Sequence, residues 1–460
     1  LDGFVVPRAD AHQGEYVSAR DERLAWLTGF TGSAGFCVVL RDIAGVFIDG
    51  RYRTQVKAQV ADNYTPVPWP ETSMGDWLKA QLPDGGRVGF DPWLHTPGQI
   101  EAAEKVLAGT GVALVACGNL VDRCWPNQPG PAVAPAKVHP IEFAGESHDG
   151  KRARLAATLV QGGVNAAVIT LPDSICWLLN IRGADIPRNP VVQCFAILHS
   201  TGALDLFIDP AKLDNVRTHF GPDVTCHAPE AFLDAVQALN GPVRLDKSSV
   251  PCIVADAVGE RGDWGDDPCA LPKACKNAAE IDGTAEAHLR DGAAVVELLA
   301  WLDAQAPGSL TETQVVGQLE QARRRDNALQ DISFETISGT GPNGAIMHYR
   351  VTEETDSTLQ DGHLLVLDSG GQYLDGTTDI TRTIAIGTPP EEACAAVTRV
   401  LSGMVAMSRL RWPKGRAGRV VTLKLKRRDH SSLTRRVSLR DPAQLADTVY
   451  RTARGLFDQA

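Results

Sequence analysis

The sequence predicts two similar α/β domains in tandem followed by an α+β region, and three observations carry that expectation. One series of landmarks occurs twice in residues 1–276, a proline-rich stretch separates the copies, and two helical segments lead into a run of strand signals. At 460 residues, with roughly 150 per domain as a guide, the chain is long enough for three cores.

The first copy, "WLTGFTGSAGFCVVLRDIAGVFIDGRYRTQV", starts at Trp26, and the second, "WLLNIRGADIPRNPVVQCFAILHSTGALDLFIDPAKL", at Trp177. Each opens on Trp-Leu, turns at a glycine and enters an apolar strand, Phe36–Leu40 in one and Phe195–Leu198 in the other. A short polar turn then leads to a second strand ending Phe-Ile-Asp, at Asp49 and at Asp209. "WPNQPGPAVAPAKVHP", Trp125–Pro140, is the linker between them.

The third region opens on a long amphipathic helix over Asn277–Gln305, with Leu289, Val296, Leu299 and Leu302 as its apolar stripe. A Thr-x-Thr-Gln capping pattern starts a second helix around Glu312–Asn327. Strands dominate from Ile332 to Ile386. Among them "VLDSGGQYLDGTTDITRT", Val366–Thr383, reads as two paired strands, with a reversal at Asp375-Gly376 whose aspartate suits a solvated turn.

Such a hairpin brings Asp368 and Asp379 together, and neighbouring carboxylates repel unless a proton or metal lies between them. Asp368 ends a four-residue apolar run, which fits a solvated turn poorly. Thr381 and Arg382 are positioned to fix the Asp379 carboxylate. "GTGPNG", Gly339–Gly344, matches a dinucleotide pattern in letters only, because Pro342 and Asn343 break the helix that pattern needs. Its glycines shape a loop for His348, which the intervening connection can return on a strand beside the hairpin, to orient a substrate or share a proton.

Composition narrows the class. Hydrophobic residues make up 43% and charged residues 22%, no apolar run approaches the ~20 residues of a membrane span, and "LDGFVVPRAD" lacks a signal-peptide layout. Ten scattered cysteines without a C-x-x-C pair read as reduced, mostly buried cytosolic thiols and exclude a Cys-based zinc site. The net charge of −11 argues against a nucleic-acid binder. From Arg409 to Arg440, however, twelve Lys/Arg stand against the single acid Asp429. Nucleic-acid binding there would need aromatic support, and only Trp412 is near.

"SGTGPNGAIMHY", followed by "LDSGGQYLDGTTDITRT", resembles the cytosolic three-domain Xaa-Pro aminopeptidases. "DAHQGEYVSARDERLAWLTGFTGSAG", "DGRYRTQ", "WLLNIRGADIPRNPV" and "KNAAEIDGTAEAHLRDGAAV" belong to the same pattern, in order, from near Leu1 to about Arg419. The resemblance implies creatinase-type domains over 1–139 and 140–276, a partial pita-bread metallopeptidase domain over 277–419 and an atypical basic tail over 420–460. It implies a cytoplasmic homodimer with two Mn²⁺ per site, acting on peptides with proline second. Asp368 and Asp379 match metal ligands, Asp379 binding both ions, while His348 and Arg51 match substrate-contacting residues. A creatinase-like amidinohydrolase fits the fold, but the paired aspartates and extra domain argue against it.

The pattern then stops. The family completes its ligand set with a histidine from an "HGTGHGVG" loop and two later glutamates, with another histidine in "HEGP", and none of these motifs is present. After Asp379 come one histidine, His430, and two glutamates, Glu391 and Glu392. A changed reading frame or a truncated gene would leave this signature. The expectation is an impaired or inactive enzyme, or a non-catalytic peptide- or partner-binding relative, with exposed apolar sheet and a disordered or loosely placed tail.

Overall fold

The computed structural model describes residues 1–325 and 328–409 and, beyond them, the backbone of the strands over 418–426 and 432–443. Contacts divide the chain into two compact units, Leu1–Thr388 and Pro389–Ala460.

The first unit begins with β1 (Gly3–Pro7), β2 (Phe36–Leu40), β3 (Ala44–Ile48), β4 (Tyr64–Pro68), β5 (Gly86–Phe90) and β6 (Val112–Ala116), in the spatial order β4-β3-β2-β1-β5-β6. After β7 (Lys137–Val138) come β8 (Ala166–Ile169), β9 (Ile181–Arg182), β10 (Phe195–His199), β11 (Leu204–Phe207), β12 (Val224–His227), β13 (Val243–Leu245) and β14 (Gly262–Trp264). Apart from the small β7–β9 ladder, these form a second sheet ordered β12-β11-β10-β8-β13-β14. The two orders are the same, and so is each strand direction. β2 is antiparallel to both neighbours, as is β10, while β4, β5 and β6 run parallel to their partners, as do β12, β13 and β14.

Helices on both faces explain why the central strands are continuously apolar. All of β3 is buried, with Phe47 facing Trp77 and Leu78 on one side and Val46 facing Leu24, Tyr52 and Val56 on the other. Gly45 lets the Trp77 ring reach β3, since a Cβ there would lie 2.9 Å from it. The second sheet likewise has an apolar cluster on each face.

The helix Ala278–Asp303 is capped by Asn277 and Glu280, but its core stripe differs from the expected one. Asp291, Ala294, Val295, Leu298 and Leu302 face inward, whereas Leu289 and Val296 are 72% and 64% exposed. Apolar residues lie on both faces, so periodicity alone could not choose. The choice follows Asp291, which is fully buried against Arg323 of the second helix, Glu312–Arg323. Thr311 and Gln314 cap that helix as expected; residues 326 and 327 lie outside the described residues.

Next come β15 (Asp331–Ile332), β16 (Ile337–Thr340), β17 (Leu364–Ser369), β18 (Gly371–Gln372) and β19 (Ile380–Ala385). β17 pairs antiparallel with both β16 and β19. The pair of strands carrying the aspartates is therefore not a plain hairpin, because β18 in the connection leaves to pair with β15. Nor is the sheet's apolar face bare. Leu365 and Leu367 are buried against Val295, Leu298 and Leu319 of the two helices.

In the second unit, the helix Glu391–Ser408 starts on two glutamates, which favours its N-terminus, and exposes Val400, Leu401 and Met404. β20 (Gly418–Lys426) and β21 (Ser432–Ala443) pair antiparallel. Those parts of the tail are thus paired strands, where the expectation was a disordered or loosely placed tail. His430 and the other tail residues lie outside the described residues. All ten cysteines are free, five of them buried.

Asp291→Ala should lower stability by about 3–5 kcal/mol, because it leaves the buried Arg323 charge without a counter-ion. Urea midpoints would check this, with the double variant Asp291→Leu/Arg323→Met losing much less than the single change.

Candidate metal centre

Alternation along β17 decides which residues reach the cleft. Leu365, Leu367 and Ser369 are buried on one side, so Asp368 projects with Leu364 and Val366 on the other. In register, Asp368 stands opposite Ile337 of β16 and Thr381 of β19. Thr381 Oγ1 donates to Asp368 Oδ1 at 2.7 Å. Thr381 therefore fixes Asp368 and not Asp379. Arg382, also expected to hold Asp379, donates to the Thr381 carbonyl at 2.7 Å.

Asp379 immediately precedes β19, and the structure brings its carboxyl to that of Asp368. Partial burial, the Asp368 charge and a hydrogen bond with Asp368 hold Asp379 above the usual carboxylate range. That is the behaviour of two carboxyl groups brought to one place. Both line a cleft of about 340 Å³ with His348, Tyr52, Glu15 and Arg350.

The connection between the aspartates is held at both ends. Gly370 is needed next to Asp368, since a Cβ there would lie 1.9 Å from the Thr378 carbonyl oxygen. Thr378 Oγ1 donates to Asp291 Oδ2 at 2.8 Å, and Tyr373 Oη to Asp291 Oδ1 at 2.7 Å. Asp375, expected in solvent, is largely buried and ion-paired with Arg290 at 2.8 Å.

His348 is not on a strand. It lies in a turn after the short 3₁₀ helix Gly341–Ala345, at φ 54°, a left-handed conformation uncommon outside glycine. Glu312, fully buried, organises the preceding loop by accepting from Thr340 N at 2.6 Å, Asn343 Nδ2 at 3.1 Å and Tyr349 Oη at 2.9 Å. His348 Nδ1 meets Tyr52 Oη at 2.8 Å, and that hydroxyl also meets Ser33 Oγ at 2.6 Å. Burial and then the Arg51 charge lower the His348 pKa, against Glu15, Asp368 and Asp49.

Arg51 is held by Asp49. Its Nη2 donates to Asp49 Oδ2 at 2.6 Å, and its guanidinium lies 5.2 Å from the centre of the Tyr52 ring. Tyr52 lines the cleft instead. Sequence reasoning missed Tyr52, Arg350 and Glu15, although each adjoins or lies inside a motif that pointed here: "DGRY", "MHYR" and "HQGEY".

The comparisons with known proteins agree with this architecture. Residues 1–124 and 127–280 match models of the creatinase/prolidase N-terminal domain, and residues 282–427 match metallopeptidase family M24. The class is thus a metallopeptidase carrying two creatinase-type N-terminal domains. A probable Xaa-Pro aminopeptidase P of Coccidioides posadasii is 37% identical over 440 residues, covering 91% of this chain and 72% of that one. Its counterpart in Aspergillus clavatus is 36% identical over 444 residues, covering 91% and 67%. The crystal structure of the Caenorhabditis elegans X-prolyl aminopeptidase, described as a cytosolic enzyme with a dinuclear active site, aligns with a TM-score of 0.85 at 32% identity, covering 91% and 71%. The chain belongs to the Xaa-Pro aminopeptidase P family.

Removing the Arg51 charge should raise the His348 pKa toward the ordinary ~6.5. An NMR titration of Arg51→Met, with the His348 resonance identified by its loss in His348→Asn, would show the shift; an unmoved midpoint would refute the assigned field. The sign extends to stability. A histidine that binds its proton less readily when folded favours folding above its ordinary pKa, and that contribution is lost as pH falls through the folded value.

Proposed function

We propose that the chain is an Xaa-Pro aminopeptidase homologue whose metal centre, as far as it is built from the described residues, is incomplete. In this reading Asp368 and Asp379 are metal ligands, and His348 contacts a peptide with proline second. Arg51 contacts the same peptide, from beside Tyr52 and paired with Asp49. The domain limits 1–139, 140–276 and 277–419 go with this reading, supported by the limits of the three matched models.

The observation that carries the proposal is the ligand count. Among the described residues no group of three or more His, Cys, Asp or Glu is arranged to hold a metal ion. Hard carboxylate oxygens suit Mn²⁺ in kind. In number, two donors fall short of what a catalytic centre needs to hold two ions and leave room for water. The chemistry such ions would supply is carbonyl polarisation and a hydroxide near neutral pH.

What the chain's own residues can do is bind and orient. The cleft offers a neutral imidazole, a tyrosine hydroxyl and charged Glu15 and Arg350 to a peptide. Proline in second place removes an N–H that other peptides present, so recognition there rests on shape and on the remaining groups. A cytoplasmic location is part of the proposal, supported by the cytosolic relative of known structure, and so is a homodimer. The second reading, a non-catalytic peptide binder, rests on the same cleft and the same short ligand set.

Purified full-length chain with added Mn²⁺ should turn over an Xaa-Pro peptide weakly or not at all. Robust, chelator-sensitive hydrolysis would overturn the incomplete-centre reading. Weak Mn²⁺ binding measured by calorimetry should disappear in Asp379→Asn, and binding that survives the change would remove the aspartate pair from the site.

A further inference from the structure

A second cavity, of about 420 Å³, lies between the second α/β domain and the connection that joins the two aspartates. His139, Lys151, Trp177 and Arg182 line it from the domain side, with Tyr373 and Thr377 opposite. None of the cleft chemistry described above uses these basic groups.

Among the described residues neither Lys151 nor Arg182 is held in a direct ion pair, although the Glu280 charge acts on both. Lys151 is 1% exposed, and its Nζ donates to the Trp177 carbonyl at 2.9 Å and to Asn180 Oδ1 at 2.8 Å, leaving one of its three N–H groups. The ammonium also lies 4.3 Å from the Trp177 ring centre. Arg182 donates through Nη1 to two backbone carbonyls, at 3.3 and 2.8 Å, and among the described residues its Nε and Nη2 have no hydrogen-bond partner. Neither cation is within ion-pair distance of a carboxylate among the described residues. His139 is 8% exposed, and its Nδ1 is buried without a partner.

Two of the three acids lining the cavity are paired with other cations, and the third, Glu280, is held by neutral donors. Asp173 pairs with Lys273, and Asp375 with Arg290. Glu280 accepts from Trp177 Nε1 at 3.2 Å and from the Asn277 backbone N–H at 2.9 Å. The field is felt by the basic groups themselves. Burial first, then Arg182 and Lys151, push His139 down to about 3, while burial and Arg182 help bring Lys151 to about 8 against Glu280 and Glu146. Burying cations without counter-ions is costly, and an anion received between them would relieve that cost.

We propose that this cavity is a binding site for a small oxyanion, a carboxylate or a phosphate, held by Arg182 and Lys151 with His139 as a neutral donor. Arg182 supplies the free guanidinium edge that recognises an oxyanion through paired hydrogen bonds. Trp177 and Tyr373 provide apolar walls for whatever group carries the anion. Thr377 lines both this cavity and the cleft with Asp379, so occupancy bears on the back of the connection that positions that carboxylate. The proposal rests on no part of the metal-centre reading.

The test is calorimetry of the full chain with inorganic phosphate and, separately, succinate at constant ionic strength, paired with hydrogen exchange of the segment 372–377. At least one anion should bind saturably and slow exchange in that segment. Arg182→Gln should weaken binding by about tenfold or more and abolish the protection. Should Arg182→Gln fail to fold, Lys276→Gln at the exposed rim should weaken binding by about threefold. No saturable binding of either anion, binding indifferent to these changes, or protection confined to other segments would each overturn the proposal.

Discussion

The Asp291–Arg323 ion pair is the constraint on which the metallopeptidase region depends. Both side chains are fully buried, and every oxygen of the carboxylate is doubly engaged. Oδ1 accepts from Arg323 Nε at 2.6 Å and Tyr373 Oη at 2.7 Å, Oδ2 from Arg323 Nη2 at 3.0 Å and Thr378 Oγ1 at 2.8 Å. Arg323 Nη2 continues to Ser369 Oγ at 3.0 Å. Ser369 follows Asp368 and Thr378 precedes Asp379, so one pair ties down the neighbours of both candidate ligands. A buried network with all members satisfied is stiff, and its low-dielectric surroundings make any loosened member costly. It also sets the rotation of the long helix, which is why Leu298 and Leu302 are inside while Leu289 and Val296 are outside.

A second buried acid does the same for the other half of the cleft. Glu312 gathers the loop after β16 by its Thr340 and Asn343 donors and so delivers His348. The imidazole is completed from far away in sequence by Tyr52 of the first α/β domain. The cleft is therefore a product of docking, in which the catalytic region supplies carboxylates and imidazole and the N-terminal domain supplies the hydroxyl facing them. Within that ordered frame, burial and the Asp368 charge together raise the pKa of Asp379.

Much of this was legible in the chain. The repeat was visible because both copies bury a central strand on two faces and turn at the same kinds of residue, which leaves matching apolar runs around Phe36–Leu40 and Phe195–Leu198. The aspartates stood out because Asp368 ends an apolar run where a solvated turn would not. Other features were misread for physical reasons. Thr381 adjoins Asp379 in sequence, but antiparallel register places it opposite Asp368. Arg51 carried the motif's charge, yet Asp49 two residues earlier captures it and leaves Tyr52 to reach the cleft. Asp375 looked like a turn residue in water until Arg290 of the long helix met it.

The sequence by itself determined the element types, the order of the domains, the family and the pair of carboxylates, because period-two and helical patterns, turn chemistry and short motifs are local. Only the tertiary structure decided which face of the long helix is buried, which hydroxyl holds which carboxylate, and that Tyr52 meets His348. It also decided that Arg182, Lys151 and His139 share a cavity with no direct ion pair to any of them among the described residues. Those outcomes depend on strand register and on buried groups meeting partners from 13 residues away, as for Thr381 and Asp368, to 296 away, as for Tyr52 and His348, and no local pattern records such pairings.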